Sequence, residues 1–129
     1  MVVDSSALLA ILLREPERQR FFEMLLSASR ILLSASNAVE CATVILARDG
    51  DRGEQLLDQL IEDLSIDIVP VDLDQVRIAR RALRLYGKGR HPAGLNYGDL
   101  FAYALSKVSG EPLLFKGDDF SKTDVVPAL

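Results

Sequence analysis

Four acidic positions stand where a solvated surface has no need of them. Asp4 separates an apolar start from the run ALLAILL, Glu40 interrupts NAVECATVILA, Asp99 interrupts YGDLFAYAL, and Asp118 with Asp119 follows the apolar stretch Leu113 to Phe115. Any one of them alone has a plain account as a helix cap, since aspartate near a helix start accepts orphan backbone N–H groups and complements the dipole. Taken together they invite a chemical reading. Carboxylates brought close repel and raise one another's pKa unless a cation compensates them. The hard, oxygen-preferring ions Mg2+ and Mn2+ are the natural compensation, and no cysteine or histidine cluster competes, because the chain has one Cys and one His. Such an ion over a sheet edge polarises a phosphoryl oxygen and acidifies a bound water, which points to phosphodiester hydrolysis with one ion or two.

Other phosphate chemistries fit less well. The turn after the first strand, DSSALLA, holds no glycine, which excludes a nucleotide-binding P-loop. A phosphatase with an aspartyl nucleophile would carry a second aspartate two residues after the first, and Ser6 stands there. A phosphate-receiver domain is a third reading, for which VPVDLD supplies only a weak acceptor.

Composition bounds the class. With 129 residues, 49% of them hydrophobic, the chain is the size of a single domain, residues 1–129, that can close one core. Cys41 has no partner for a disulfide, so a reducing cytoplasm is the simplest location. Arg14 and Glu15 cut the first apolar run well short of a membrane span, and no basic leader precedes it. A net charge of -4 argues against a generic basic nucleic-acid binder. Yet 19 acids stand against 15 bases, so four carboxylates withdrawn into one metal site leave a balanced surface.

The elements that must deliver these acids alternate along the chain. Val2 and Val3 suggest a buried strand with Asp4 at its C-terminal end, then a helix over Ala7 to Leu13 capped by Ser5 or Ser6. Pro16 suits the first turn of a helix through FFEMLL, and Arg30 to Leu33 reads as the next strand. Ser34 or Ser36 can cap a helix that Gly50 closes, with Glu40 in its first or second turn. A separate helix fits Arg52 to Ser65, IDIVPV is strand-like, and Asp72 or Asp74 can cap LDQVRIARRALRLYG. After the turn-rich Gly87 to Gly94, Asn96 caps a helix in which Asp99 takes the capping-box position. Leu113 to Phe115 and a last DVV complete the strands. This pattern predicts a three-layer α/β domain with a mostly parallel sheet of about five strands, its acids collected beyond the strands' carboxyl ends.

The same stretches carry a family resemblance. VVDSSALLAILLREPE, NAVE, HPAGLNYGDLFAYALS and EPLLFKGDDFSKTDV resemble, in order and nearly end to end, the VapC-type toxins of the PIN-domain ribonucleases. The resemblance implies an α/β/α PIN-like fold, cleavage of RNA with Mg2+ or Mn2+, and an acidic site. Asp4, Glu40 and Asp99 match its acids, with Asp4 and Asp99 as direct metal ligands. Glu40 and the fourth acid could act through water. That fourth acid falls in KGDDF, where Asp118, nearer the strand, is preferred over Asp119. Ser6 matches a hydroxyl beside the metal, unless it is only a helix cap, and Asn96 is either a cap or a support. For RNA contact, Arg14, Arg18, Lys88, Arg90 and Lys116 flank the expected edge, while His91 reads as a surface residue.

The resemblance also implies a VapB-type antitoxin that covers the active site and itself contacts operator DNA, a toxin homodimer, and a toxin–antitoxin hetero-oligomer. FFEMLL and LLAILL could receive an amphipathic antitoxin helix, although such stripes are more often core. Among structured RNAs, tRNA ranks ahead of ribosomal RNA by analogy alone. The rival from another class is a catalytically silent PIN-like scaffold whose acids merely cap helices.

Overall fold

In a computed structural model describing all residues, Met1–Leu129, four short strands form one parallel sheet. They are β1 Val2–Val3, β2 Leu32–Ser34, β3 Asp67–Val69 and β4 Leu113–Leu114, in the spatial order β3-β2-β1-β4. The connecting helices are α1 Ser5–Leu12, α2 Arg18–Ser27, α3 Ala35–Asp63, α4 Leu73–Tyr86 and α5 Tyr97–Ser109, followed by a 3-10 turn at Phe120–Lys122.

Because side chains alternate along a strand, each strand supplies both faces of the sheet. Val3, Leu33 and Leu114 pack with Leu8, Ile11, Phe21 and Ile45 from α1 to α3. Val2, Leu32 and Leu113 pack with Ala82 of α4 and with Leu100 and Leu105 of α5. Both faces are thus covered, as an all-parallel sheet requires. No helix is long and apolar enough to cross a membrane.

The sheet has four strands where about five were expected. The C-terminal segment contributes only an isolated parallel bridge, with Leu113 donating to Val126 O and Ala128 donating to Leu113 O, both at 2.9 Å. Pro127 sits at its centre and has no N–H to extend a ladder.

Several element ends also move. Asp4, not Ser5 or Ser6, caps α1: its side chain accepts from Ser6 N, and both serines are helical. The helix after Pro16 starts at Arg18 with Glu17 as its cap residue. Gly50, at φ 61° and ψ -153°, does end one helix and precede another as expected, but with no loop between them: the two arms meet at a kink within Ala35–Asp63.

That conformation is essentially open only to glycine. Nothing lies within 4 Å of a Cβ added at Gly50, so backbone strain alone opposes a side chain. Gly50→Ala is expected to lower stability by about 1–3 kcal/mol without changing the acidic site, which thermal melts and an activity assay on the same sample would check.

Candidate active site

The parallel topology brings the C-terminal ends of β1 and β2 to one edge, where Asp4 directly follows β1 and Ser34 ends β2, each two residues beyond the paired Val2 and Leu32. The first turns of α3 and α5 meet over that edge.

Asp4 is 3% exposed. Its Oδ2 accepts the Ser6 backbone N–H at 2.9 Å and the Ser6 hydroxyl at 2.5 Å, while its Oδ1 is buried with no protein partner. Ser6 Oγ in turn accepts the Lys116 backbone N–H at 2.9 Å. Ser6 therefore does more than occupy a helix start: it ties Asp4 to the loop that carries Asp118 and Asp119.

Asn96 is the cap of α5, and the capping box is complete. Asn96 Oδ1 accepts from Asp99 N, and Asp99 Oδ2 accepts from Asn96 N, both at 2.9 Å. Asp99 Oδ1 takes no protein hydrogen bond, so capping uses only half of this carboxylate.

Glu40 is held by Ser5 and Asn37 and packed against Gly98, none of which sequence reasoning placed at the site. Ser5 Oγ donates to Glu40 Oε1, and Asn37 Nδ2 donates to the same oxygen at 3.2 Å and to Gly98 O at 2.9 Å. Gly98 lies so close that a Cβ there would land on Glu40 Oε2, with 2.6 Å to Cδ and 2.7 Å to Oε1. Two signals could have revealed this clamp. Asn37 precedes Glu40 by three residues, which puts both on one helix face, and a glycine inside a helix's first turn costs stability unless contact demands it.

Burial raises Asp4 to about 6, assisted by the Glu40 charge and opposed by the Ser6 hydrogen bonds. Burial likewise raises Asp99 to about 7, against the Asn96 N–H and with the charges of Asp4, Asp119 and Glu40. The four regions therefore share one electrostatic field, and Asp119 is the member of the adjacent pair that Asp99 feels. Asp118 and Asp119 are both exposed; the Asp118 carbonyl accepts the Ser121 hydroxyl at 2.5 Å.

No group of three or more His, Cys, Asp or Glu side chains is drawn together closely enough to form a ready cage. Magnesium does not demand one, since one or two carboxylates with waters and substrate phosphates commonly hold it. The all-oxygen donor set and the unpartnered oxygens of Asp4 and Asp99 fit such an ion.

The basic residues divide. Lys88 and Arg90 are exposed on a loop that Lys88 N–H to Leu95 O and Leu95 N–H to Tyr86 O fasten beside the start of α5. His91 lies in that loop, its Nδ1 accepting from Ala93 N at 3.0 Å and its ring edge-on to Tyr86. Lys116 is paired with Glu15 and Glu17. Arg14 and Arg18 are not at the acidic edge: they line a groove of about 510 Å³ with Leu12, Phe22, Leu56 and Leu60, toward the other end of α1. FFEMLL is split accordingly, Phe21 and Leu25 entering the core and Leu26 facing out at 60% exposure.

Residues 1–126 match the PIN domain family. The chain is 52% identical over 126 residues to VapC ribonuclease Mb0640 of Mycobacterium bovis, covering 97% of this chain and 95% of that one. It is 50% identical to Ribonuclease VapC of Mycolicibacterium smegmatis, with 97% of each covered. This chain belongs to the VapC ribonucleases of the PIN-domain family. Among solved structures the PIN domain resembles Mycobacterium tuberculosis VapC20, described as a sarcin–ricin loop cleaving toxin, with a TM-score of 0.78, 18% identity and coverage of 97% and 95%. At that identity the likeness concerns the fold.

Proposed function

We propose that this chain is the toxin of a toxin–antitoxin pair and an endoribonuclease that hydrolyses RNA phosphodiesters with Mg2+ or Mn2+. The observation that carries the metal reading is Asp4 Oδ1, a buried carboxylate oxygen with no protein partner, beside a second carboxylate in the same field. A scaffold whose acids only cap helices has no use for two mutually repelling carboxylates in one field, since capping engages one oxygen of Asp4 and one of Asp99.

Asp4 and Asp99 would hold the ion, with Glu40 and Asp119, whose charges Asp99 feels, acting through water; the field at Asp99 favours Asp119 over Asp118. When bound, the ion supplies phosphoryl polarisation and an acidified water. Ser6 fixes the Asp4 carboxylate, and Ser5, Asn37 and Gly98 fix that of Glu40, so neither must be ordered when substrate arrives. Lys88 and Arg90 can neutralise RNA phosphates locally. Lys116 can do so only by leaving Glu15 and Glu17.

Family membership supports neutralisation by a VapB-type antitoxin, a homodimeric toxin and action in the cytoplasm, with tRNA placed ahead of ribosomal RNA as substrate. The purified chain, free of antitoxin, is expected to cleave structured cellular RNA in Mn2+ and to stop on chelation, and Asp99→Asn is expected to be inactive. Metal-independent cleavage, or an unimpaired Asp99→Asn, would overturn the reading. Mapping new RNA 5′ ends after induction separates tRNA from ribosomal RNA.

A further inference from the structure

Three buried oxygens at the carboxyl edge of the sheet have no protein partner: Asp4 Oδ1, Ser34 Oγ and Asn37 Oδ1. Their residues are 3%, 0% and 0% exposed. A buried polar atom left without a hydrogen bond is expensive, and native folds seldom tolerate one. Three in one place call for a shared explanation.

The register puts them together. Val2 pairs with Leu32 in parallel, so Asp4 and Ser34, each two residues on, end adjacent strands on the face that Val2 and Leu32 present to α5. Asn37 reaches the same place, since its amide nitrogen donates to Gly98 O in the first turn of α5.

The orientation of each group is fixed by its other bonds. Both contacts of Asn37 Nδ2 are acceptors, Gly98 O and Glu40 Oε1, so the amide cannot be reversed, and Oδ1 must look for a donor elsewhere. Ser34 is the cap residue of α3, yet its hydroxyl makes no capping bond. The bond that serine normally makes at this position is missing, so the hydroxyl is free for another partner. Asp4 Oδ2 is committed to Ser6, leaving Oδ1.

The inventory is then one donor, Ser34 O–H, and two acceptors, Asn37 Oδ1 and Asp4 Oδ1. A water molecule matches it atom for atom, because it accepts one hydrogen bond and donates two, the usual three for a buried water. We infer that Asp4, Ser34 and Asn37 enclose one buried water beneath the first turn of α5, and that this water links the Asn37 clamp on Glu40 to Asp4. The inference concerns protein and solvent only and does not rest on the proposed reaction. Asp4 Oδ1 keeps a second lone pair free for other ligands. Ser34 and Asn37 are positioning residues in this arrangement, acting on the two carboxylates without touching substrate.

Ser34→Ala tests it, since the change is small enough for the chain to fold, and the sign of its effect decides. If the hydroxyl serves the water, alanine leaves that water with two partners, and the melting temperature of the chelated protein falls by roughly 3–6 °C. Calorimetric Mn2+ affinity without RNA falls about tenfold with it, as for loss of an outer-shell partner. If the hydroxyl has no partner, alanine removes a buried unsatisfied group, and the protein melts higher. A high-resolution crystal structure of the chelated wild type gives the second reading. A single density peak at hydrogen-bonding distance from all three oxygens, lost in Ser34→Ala, is expected. An unchanged or raised melting temperature, direct contact among the three side chains, or a peak at the roughly 2.1 Å of a coordinated cation would overturn it.

Discussion

Replacing Asp4 by asparagine is expected to abolish RNA cleavage while making the metal-free chain more stable above neutral pH. The two effects share one cause. Asp4 ends β1 with its carboxylate 3% exposed, and burial raises its pKa to about 6 from the ordinary 3.8. Asp99 is raised to about 7 for the same reason. A carboxyl whose folded pKa exceeds its unfolded one holds more protons in the folded state over the interval between them. Stability then falls as pH rises from about 4 to 7, because unfolding releases the strained charge. At pH 8 both groups are ionised and the full penalty stands. The asparagine side chain cannot ionise, keeps an oxygen for the Ser6 N–H, and should regain on the order of 2 kcal/mol. Melts of chelated protein between pH 5 and 8 are the measurement. The wild type should lose stability steadily across that range, and Asp4→Asn should be flatter, retaining the share due to Asp99. Added Mn2+ should stabilise the wild type and not the variant, with cleavage down at least about a hundredfold. A variant less stable than wild type at pH 8 would mean that the carboxylate is compensated without metal, and the site would need another explanation.

This opposition between stability and activity bears on what the sequence could disclose. An aspartate in MVVDSSALLA breaks the local pattern, and such conflicts concentrate at functional sites. Strand–helix alternation carried the layer order, the parallel sheet and the convergence of Asp4, Glu40 and Asp99 at one edge, because those follow from topology. The element ends followed less well. Arg14 and Ser65 take φ of 56° and 50° with no glycine to announce it. Glu15 N then bonds Ala10 O, and Ile66 N bonds Ile61 O, closing both helices by the usual left-handed turn. The register that pairs Ser34 with Asp4 depends on strands two and three residues long, too short for alternation to reveal. The clamp on Glu40 was harder still, for it joins three segments distant in the chain, and only the Asn37–Glu40 spacing and Gly98, a helix-weakening residue in LNYGD, marked its place.

Gly98→Ala should therefore be the most damaging single-methyl change to the Glu40 clamp. Its cost is not conformational, since Gly98 is helical and alanine is the better helix former. The obstacle is the Glu40 carboxylate, whose Cδ would stand 2.6 Å from the new methyl and whose Oε1 would stand at 2.7 Å. Glu40 cannot simply swing aside, because Ser5 and Asn37 hold Oε1 and Asn37 is itself bound to Gly98 O. Either the carboxylate breaks those bonds or α5 lifts from α3, carrying Asp99 with it. Overpacking of this kind costs about 1–3 kcal/mol, and activity should fall further, since a displacement near 1 Å at a reacting site is worth about a hundredfold. Combining Gly98→Ala with Glu40→Gln would keep the clash, whereas combining it with Glu40→Ala removes the side chain that the methyl strikes. Melting temperatures across that set measure the coupling: recovery in the alanine pair and none in the glutamine pair is expected. Equal destabilisation by Gly98→Ala with and without the Glu40 side chain would place the strain elsewhere in α5.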